Sequence, residues 1–372
     1  MTGTRTDFKT ALENGDTILV AEGYVREFGR RGYLKMGPFI PEVVLDYPHL
    51  VQNMYEEFAH AGSDVVEALT YYGHKEKLRL IGREDELEKL NRSALKMARK
   101  VADDHNKWMA AGICNSAVYE PDNEKALRDT KQIFQEQIEW AVEENADYII
   151  GETFNDYGEA ALALQSIQEF GKGNCNLNTS EYAFAVGLPA VITLTAYFPD
   201  VTTDNVPLPE ACRRLEEQGA AVVGLNCGRG PRTMIPLIKE IKKVCKGPIA
   251  ALPVPFRTSD ECKTFQSLID PETGKSVYPN DLECVRCSNS DIRNFAEEAK
   301  EIGIKYVGLC CGNCGQYFRE LAEAFGRRPL ASKYSTDMKK NQFLGATKGN
   351  VNNTRADLIR DFVYGNNRNE NC

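Results

Sequence analysis

Eight short apolar runs alternate with amphipathic stretches along most of the 372 residues. The runs are almost continuously apolar, which is typical of strands buried on both faces of a parallel sheet. No Gly-x-Gly-x-x-Gly turn follows any run, which argues against an open, doubly wound sheet. Eight strand–helix units therefore predict an α/β fold, a closed (β/α)8 or TIM barrel. The predicted strands cover 17–22, 64–71, 109–115, 147–153, 189–196, 221–227, 247–254 and 306–311.

The predicted barrel occupies 12–330 as a single domain, since this fold accommodates a chain of this length. Two polar stretches interrupt the strand–helix pattern at 171–181 and 257–289. We interpret both as loop insertions beside the barrel mouth. Residues 331–372 are polar and end in an Asn-rich sequence. They are expected to form a short C-terminal appendage that serves as a contact in a homo-oligomer.

The balance of charges bears on the partners of the chain. Its 54 acidic and 45 basic residues give a net charge of −9, which argues against nucleic acid or an anionic membrane as the main partner. No apolar run approaches the roughly 20 residues that a membrane-spanning helix needs. Residues 1–15 lack the apolar core of a signal peptide. We therefore expect a cytoplasmic protein that acts on small molecules.

Three of the twelve cysteines stand where predicted strands end. Cys227 ends the sixth strand, and the adjacent Cys310 and Cys311 end the eighth. Because function in these barrels sits at the carboxyl ends of the strands, the fold would bring the three thiols to one face. Three thiolates form a soft ligand set with one position left open, which favours a catalytic Zn²⁺ site.

A structural zinc ribbon is the competing interpretation of the cysteines. Cys284 and Cys287 have Cys-x-x-Cys spacing, and so do Cys311 and Cys314. These four thiols could hold Zn²⁺ between two knuckle turns. Cys311 lies at a strand end rather than in such a turn, which disfavours the ribbon.

An open Zn²⁺–thiolate site favours chemistry on an incoming thiol. The metal lowers the pKa of a thiol from about 8.5 to below neutrality, so that a nucleophilic thiolate exists at pH 7. Alkyl transfer to sulfur is the corresponding reaction. A cationic onium donor suits this reaction, because attack by a thiolate neutralises charge in the transition state.

Four motifs carry a specific likeness: Arg-Gly-Tyr-Leu-Lys-Met-Gly-Pro-Phe at 31–39, Ala-Gly-Ser-Asp at 61–64, Gly-Leu-Asn-Cys at 224–227 and Gly-Leu-Cys-Cys-Gly at 308–312. In these motifs, and from about residue 12 to residue 330, the chain resembles the betaine–homocysteine S-methyltransferases of the wider Zn-dependent homocysteine methyltransferase family. The resemblance implies Zn²⁺ on Cys227, Cys310 and Cys311. It also implies methyl transfer from glycine betaine, or from a sulfonium analogue such as dimethylsulfoniopropionate, to homocysteine, giving methionine.

The resemblance further implies roles for residues at the predicted barrel mouth. Glu152, at the end of the fourth strand, matches a glutamate that binds the amino group of homocysteine. Tyr72 matches a tyrosine of the donor site, and Phe39 stands where the betaine enzymes carry tryptophan. Aromatic faces hold methylated cations by cation–π attraction, so Tyr72 and Phe39 are predicted to bind the donor.

The chain departs from the family pattern after the first and second strands. The family usually has Asp-Gly-Gly after strand one, whereas this chain has Ala21, Glu22 and Gly23. The acid is thus displaced by one position, which on a strand turns a side chain to the opposite face. Glu22 and Gly23 are predicted to lie in the substrate site, although Glu22 need not replace the lost aspartate. Strand two carries Glu67 and Ala68 in place of a Gln-Thr pair. The added charge of Glu67 is predicted to favour a cation in the pocket.

These departures, together with Thr153 in place of a family tyrosine, touch the substrate pockets but leave the three cysteines intact. Retained chemistry with altered substrates is the simplest inference. Two alternatives stay open: a related Zn–thiolate methyltransferase or demethylase with a different donor or acceptor thiol, and a non-catalytic Zn²⁺-binding barrel. His74 follows Tyr72 closely and is a further candidate for substrate binding.

Overall fold

The computed structural model describes residues 5–172, 187–197 and 199–340. Eight parallel strands close into a barrel in chain order, with β8 paired to β1. The predicted (β/α)8 fold is confirmed, and every predicted strand overlaps an observed one. The strands are β1 (Ile18–Ala21), β2 (Val65–Ala68), β3 (Trp108–Cys114), β4 (Tyr148–Phe154), β5 (Ala190–Leu194), β6 (Val222–Asn226), β7 (Ile249–Leu252) and β8 (Tyr306–Leu309).

Helices of the described residues precede, connect and follow the strands, and local signals set their limits. They are α1 (Phe8–Glu13), α2 (Tyr24–Arg30), α3 (Val43–Asp46), α4 (Pro48–Ala61), α5 (Lys75–Arg79), α6 (Leu87–Asp104), α7 (Glu124–Glu143), α8 (Tyr157–Phe170), α9 (Leu208–Glu217), α10 (Pro231–Val244), α11 (Asn289–Ile302) and α12 (Gly315–Ala324). Asn123 caps α7 by accepting bonds from the backbone N–H groups of Lys125 and Ala126. Ser288 and Asp291 form a capping box at the start of α11.

Alternate residues of each strand face two different cores. On β1, Leu19 and Ala21 belong to the large core between strands and helices, whereas Ile18 and Val20 belong to the core inside the barrel. Helix α1 closes the end where the strands begin, since Phe8 is part of that inner core. The opposite end, where the strands finish, is the end at which such barrels place their sites.

The insertion predicted at 257–289 lies between β7 and α11 and contains two short 3₁₀ helices, Phe265–Ser267 and Leu282–Val285. Its apolar side chains form a third buried cluster that includes Cys227 and Cys310. The insertion therefore packs over the carboxyl ends of β6 and β8. Of the other predicted insertion, at 171–181, all but the first two residues lie outside the described part of the chain.

The chain divides into two compact units, Met1–Leu330 and Ala331–Cys372. In the second unit the described residues end at 340 and include a 3₁₀ turn, Met338–Lys340. The rest of the predicted appendage lies outside the described residues, so its oligomer contact stays a prediction. No helix in the described part of the chain is long and apolar enough to cross a membrane.

Candidate active site at the barrel mouth

The inward face of several strands changes from apolar to polar near the carboxyl end. On β4, Tyr148 and Ile150 belong to the inner core, and Glu152 is the next inward position. On β1, Ile18 and Val20 face the interior of the barrel. Glu22 is the next inward-facing position after the strand, and its side chain accepts a hydrogen bond from Asn226 of β6. The one-residue displacement after strand one therefore turns Ala21, not Glu22, towards the helices.

The three predicted metal ligands converge at this end. One ligand atom from each of Cys227, Cys310 and Cys311 lies within 4.8 Å of the others. Hydrogen bonds from the thiols of Cys227 and Cys310 hold the pKa of Cys311 well below its usual range, although burial opposes the shift. The three thiols thus form a cluster suited to a metal ion.

Gly23 holds the backbone of this cluster close to the start of α2. Its φ of 84° lies in the left-handed region. A Cβ at this position would lie 2.6 Å from the carbonyl carbon and oxygen of Cys310 and 2.8 Å from the backbone nitrogen of Cys311. Only glycine permits both this conformation and this approach.

The competing ribbon of four cysteines does not assemble. Cys227, Cys310 and Cys311 are the only group of three or more candidate metal ligands that comes together in the described part of the chain. Cys284 is exposed and Cys287 is buried.

Three buried carboxyl groups lie beside the cysteines. Glu22, Glu67 and Glu152 are 1%, 5% and 6% exposed. A Cβ at Gly112 of β3 would lie 3.3 Å from Glu67 Oε1 and 3.7 Å from Glu152 Oε1, so the missing side chain leaves the acids their space. The barrel mouth therefore collects acids of three different strand ends.

The pKa values of all three carboxyl groups are raised above their usual range. Burial and the charge of Glu152 raise the pKa of Glu22 well above its usual range. Burial, the charges of Glu152 and Glu22 and a hydrogen bond to Glu152 do the same to the pKa of Glu67. Burial and the charge of Cys311 raise the pKa of Glu152 to about 7, while the bond from Glu67 lowers it. Burial and the proximity of the three groups thus favour their uncharged forms over free carboxylates.

Asn226 joins these groups and is absent from the residues predicted from the sequence. Its Nδ2 lies 3.1 Å from Glu22 Oε2, 3.3 Å from Glu152 Oε2 and 2.8 Å from Thr153 Oγ1. Its Oδ1 accepts a bond of 3.0 Å from the backbone N–H of Thr153. The signal for it was present, because Asn226 immediately precedes Cys227 and shares the inward face of β6.

A cavity of about 870 Å³, counting the part open to solvent, lies above these groups. Phe39, Tyr72, Glu67, Glu152 and Gly23 all line it, whereas His74 is buried behind the wall. The ammonium of Lys77 lies 3.8 Å from the ring centroid of Tyr72 and covers one of its faces. Further lining aromatic residues, which the sequence did not single out, are Tyr24, Tyr71, Tyr197, Phe265 and Tyr278.

Four residues of the cavity wall have backbones in the left-handed region. Their φ values are 54° for Phe39, 55° for Tyr72, 62° for Thr153 and 57° for Cys227. Such conformations are costly for residues other than glycine and persist where the surrounding structure enforces them. At Thr153 the enforcing contact is the bond to Asn226.

Residues 16–325 match the family described as homocysteine S-methyltransferase. The chain belongs to this family. Betaine–homocysteine S-methyltransferase 1 of Bos taurus is 30% identical over 336 residues, covering 87% of this chain and 76% of the relative. The S-methylmethionine–homocysteine S-methyltransferase BHMT2 of Pongo abelii is 29% identical over 318 residues, covering 84% and 79%. These relatives are enzymes, and the chain is an S-methyltransferase.

A solved structure of this methyltransferase family has the same fold. The metallated form of the homocysteine methyltransferase MmuM from Escherichia coli aligns with a TM-score of 0.63 at 13% identity. The alignment covers 84% of this chain and 98% of the MmuM chain. At this identity the likeness concerns the barrel alone.

Proposed function

We propose that this protein is a zinc-dependent methyltransferase that moves a methyl group from an onium donor to the thiol of homocysteine, giving methionine. The donor is glycine betaine or a sulfonium such as dimethylsulfoniopropionate. One observation carries the proposal: the thiol cluster of Cys227, Cys310 and Cys311 lies on the wall of a cavity that also holds buried carboxyl groups and aromatic rings.

The cysteine cluster fits Zn²⁺. Sulfur ligands at about 2.3 Å in tetrahedral geometry lie roughly 3.8 Å apart, and the ligand atoms here are within 4.8 Å of one another. A set of three sulfur ligands suits Zn²⁺ better than the hard cations Mg²⁺ or Ca²⁺. Zn²⁺ bound by Cys227, Cys310 and Cys311 would lower the pKa of an acceptor thiol in its open position.

The acidic side of the cavity suits the amino group of homocysteine. Glu152 lines the cavity and offers a carboxylate to an ammonium, whose positive charge would counter the rise that burial causes in the pKa of Glu152. Asn226 holds Glu152 and Glu22 in place. An ammonium among these acids would receive charge-assisted hydrogen bonds in a place that little water reaches. Glu152 is therefore the residue proposed to orient the acceptor.

The aromatic residues suit the methyl donor. Phe39 and Tyr72 line the cavity as the resemblance implies, and Tyr197 adds a third ring. Rings hold an onium cation by cation–π attraction and keep water from it. In the transfer, the thiolate sulfur supplies the electron pair of the new S–C bond. The donor nitrogen or sulfur keeps the pair of the bond that breaks and leaves as an uncharged amine or thioether centre.

The direct test is methyl transfer by the purified, Zn-loaded protein to homocysteine, with glycine betaine and dimethylsulfoniopropionate compared side by side. Methionine is measured by mass spectrometry and zinc by elemental analysis. Turnover with either donor, at about one zinc per chain, supports the proposal. Reactions without donor, and with cysteine in place of homocysteine, provide the controls. Failure of both donors with a fully zinc-loaded protein contradicts the proposed reaction.

A further inference from the structure

Arg26 is the only lysine, arginine or histidine among the described residues that line the cavity. Its guanidinium carbon lies 5.9 Å from the ring centroid of Phe256 and 5.8 Å from that of Phe265. Nη2 donates one hydrogen bond of 3.1 Å to the carbonyl of Pro279. The side chain thus lies beside a stacked pair of rings, of which Phe265 lines the cavity, with one of its donors used.

Arg26 has no carboxylate partner in the described part of the chain, where no carboxylate lies within 4.0 Å of it. One acidic group that feels its charge is the thiol of Cys311, whose pKa it helps to lower. The contrast with its neighbours on α2 is direct. Arg30 and Arg31 both pair with Glu27, at 2.7 Å and 2.8 Å. A guanidinium that lies beside aromatic rings, faces a cavity and lacks a carboxylate partner is suited to a carboxylate from outside, because its planar fork binds one with two parallel bonds.

The position of Arg26 distinguishes between the two substrates. In homocysteine the ammonium and the carboxylate are attached to the same carbon. A residue that binds this carboxylate must therefore lie close to the acids that bind the ammonium. Arg26 forms no ion pair with Glu22, Glu67 or Glu152, and its contacts are with the rings of Phe256 and Phe265 and with Pro279.

We infer that Arg26 binds the carboxylate of the methyl donor, so that the donor class is a zwitterion with an onium group at one end and a carboxylate at the other. The inference rests on the proposed function and sharpens it. The rings of the wall hold the onium methyl group and Arg26 holds the opposite end. Simple onium cations without a carboxylate would then be poor donors.

Replacement of Arg26 separates this role from a structural one. In Arg26→Gln, the KM for dimethylsulfoniopropionate or glycine betaine, whichever is turned over, should rise roughly 10- to 100-fold, the loss expected for a charged hydrogen bond. The KM for trimethylsulfonium or tetramethylammonium should change less than about threefold. Arg26→Lys should recover part of the loss. Arg257→Gln is the control, because Arg257 lies on the insertion that contacts Arg26 but pairs with Asp291 and does not line the cavity.

Two outcomes contradict the inference. The first is an equal loss with donors that have and that lack a carboxylate, which would assign Arg26 to holding the wall at Pro279. The second is an unchanged KM for the zwitterion in Arg26→Gln.

Isothermal calorimetry measures the binding of the zwitterionic donor to the Zn-loaded protein without homocysteine. Because it does not depend on methionine formation, it tests the role of Arg26 separately from the proposed reaction. If the wild type binds dimethylsulfoniopropionate and Arg26→Gln binds it at least tenfold more weakly, the carboxylate site stands even where no methionine forms. If methionine forms but Arg26→Gln binds the donor normally, only the inference fails. A wild type that binds neither zwitterion and forms no methionine overturns both.

Discussion

At the end of the barrel where the strands begin, Tyr148 and Tyr306 face each other across the interior and join their hydroxyls at 2.9 Å. Phe8 stacks on Tyr148 with a centroid distance of 3.8 Å. Four residues further along the same two strands, the inward positions are Glu152 and Cys310. One end of the interior is thus a closed aromatic plug, and the other is a polar cavity.

The two ends differ in how they treat buried polar atoms. At the end where the strands begin, here called the lower end, the two tyrosine hydroxyls form a hydrogen bond with each other. At the end where the strands finish, here called the upper end, three buried oxygen atoms lack a hydrogen-bonding partner among the described residues. They are Glu22 Oε1, Glu67 Oε2 and Thr193 Oγ1. Unpaired buried groups cost stability, and the strained backbones of the cavity wall add to this cost. The comparison teaches that the lower end stabilises the fold, while the upper end keeps polar atoms available for ligands.

The comparison predicts its largest effect for Cys310→Ala. Loss of one thiolate should remove the metal and, with it, several kcal/mol of transition-state stabilisation, which lowers kcat/KM by roughly 10³-fold or more. Zinc content and methyl transfer measure both consequences. Cys284→Ala is the control, because that thiol is exposed and lies outside the cluster. Full activity in a metal-free Cys310→Ala protein would refute the role of the cluster.

Gly23→Ala should weaken the site without removing a ligand. The added Cβ would press on the backbone of Cys310 and displace the cluster. We expect metal affinity to fall roughly 10- to 100-fold, as when other supports of metal ligands are lost, measured by competition with a chelator. Gly32→Ala is a matched control, since Gly32 has the same φ of 84° with nothing within 4 Å of the new Cβ. It should cost about 1–2 kcal/mol of stability and leave the metal bound. Equal metal affinity in the two variants would contradict the close-approach argument.

The barrel could be predicted from the sequence, because buried parallel strands are almost continuously apolar. The strands that carry candidate site residues could be predicted too, because those residues stand at the carboxyl ends of the apolar runs. The position of Glu22 follows from counting alternate residues after Ile18 and Val20. The position of Lys77 over the ring of Tyr72, the position of Arg26 beside Phe265 and the closeness of the three buried glutamates could not be predicted. They depend on loop backbones, such as the left-handed turns at Phe39 and Tyr72, and on distances between strand ends that no local pattern encodes.

The lower end can be tested with Tyr148→Phe. The change leaves the hydroxyl of Tyr306 buried and unpaired, which should lower the free energy of unfolding by about 1–3 kcal/mol, measured by urea denaturation. The double variant Tyr148→Phe/Tyr306→Phe should recover part of this loss, because neither partner is then left unsatisfied. Methyl transfer should stay within about twofold of wild type in both. A large loss of activity would show that the two ends are not independent.

The smallest expected effect concerns pH and His74, which is buried behind the wall of the cavity. His74 is 1% exposed, and burial, together with the charge of Lys77, lowers its pKa to about 4. Above pH 6.5 the imidazole is neutral in both the folded and the unfolded chain. Between pH 6.5 and 4 only the unfolded chain binds the proton, so stability falls as the pH falls. From pH 8 to 5.5 this loss should be about 1.4 kcal/mol.

Urea denaturation at pH 8 and at pH 5.5 measures the change in the free energy of unfolding between the two pH values. The contribution of His74 is the difference between the change in wild type and the change in His74→Gln. His49→Gln, at an exposed position on α4, is the control and should show the same pH dependence of stability as wild type. A His74→Gln protein that also shows the wild-type pH dependence would place the titrating group elsewhere.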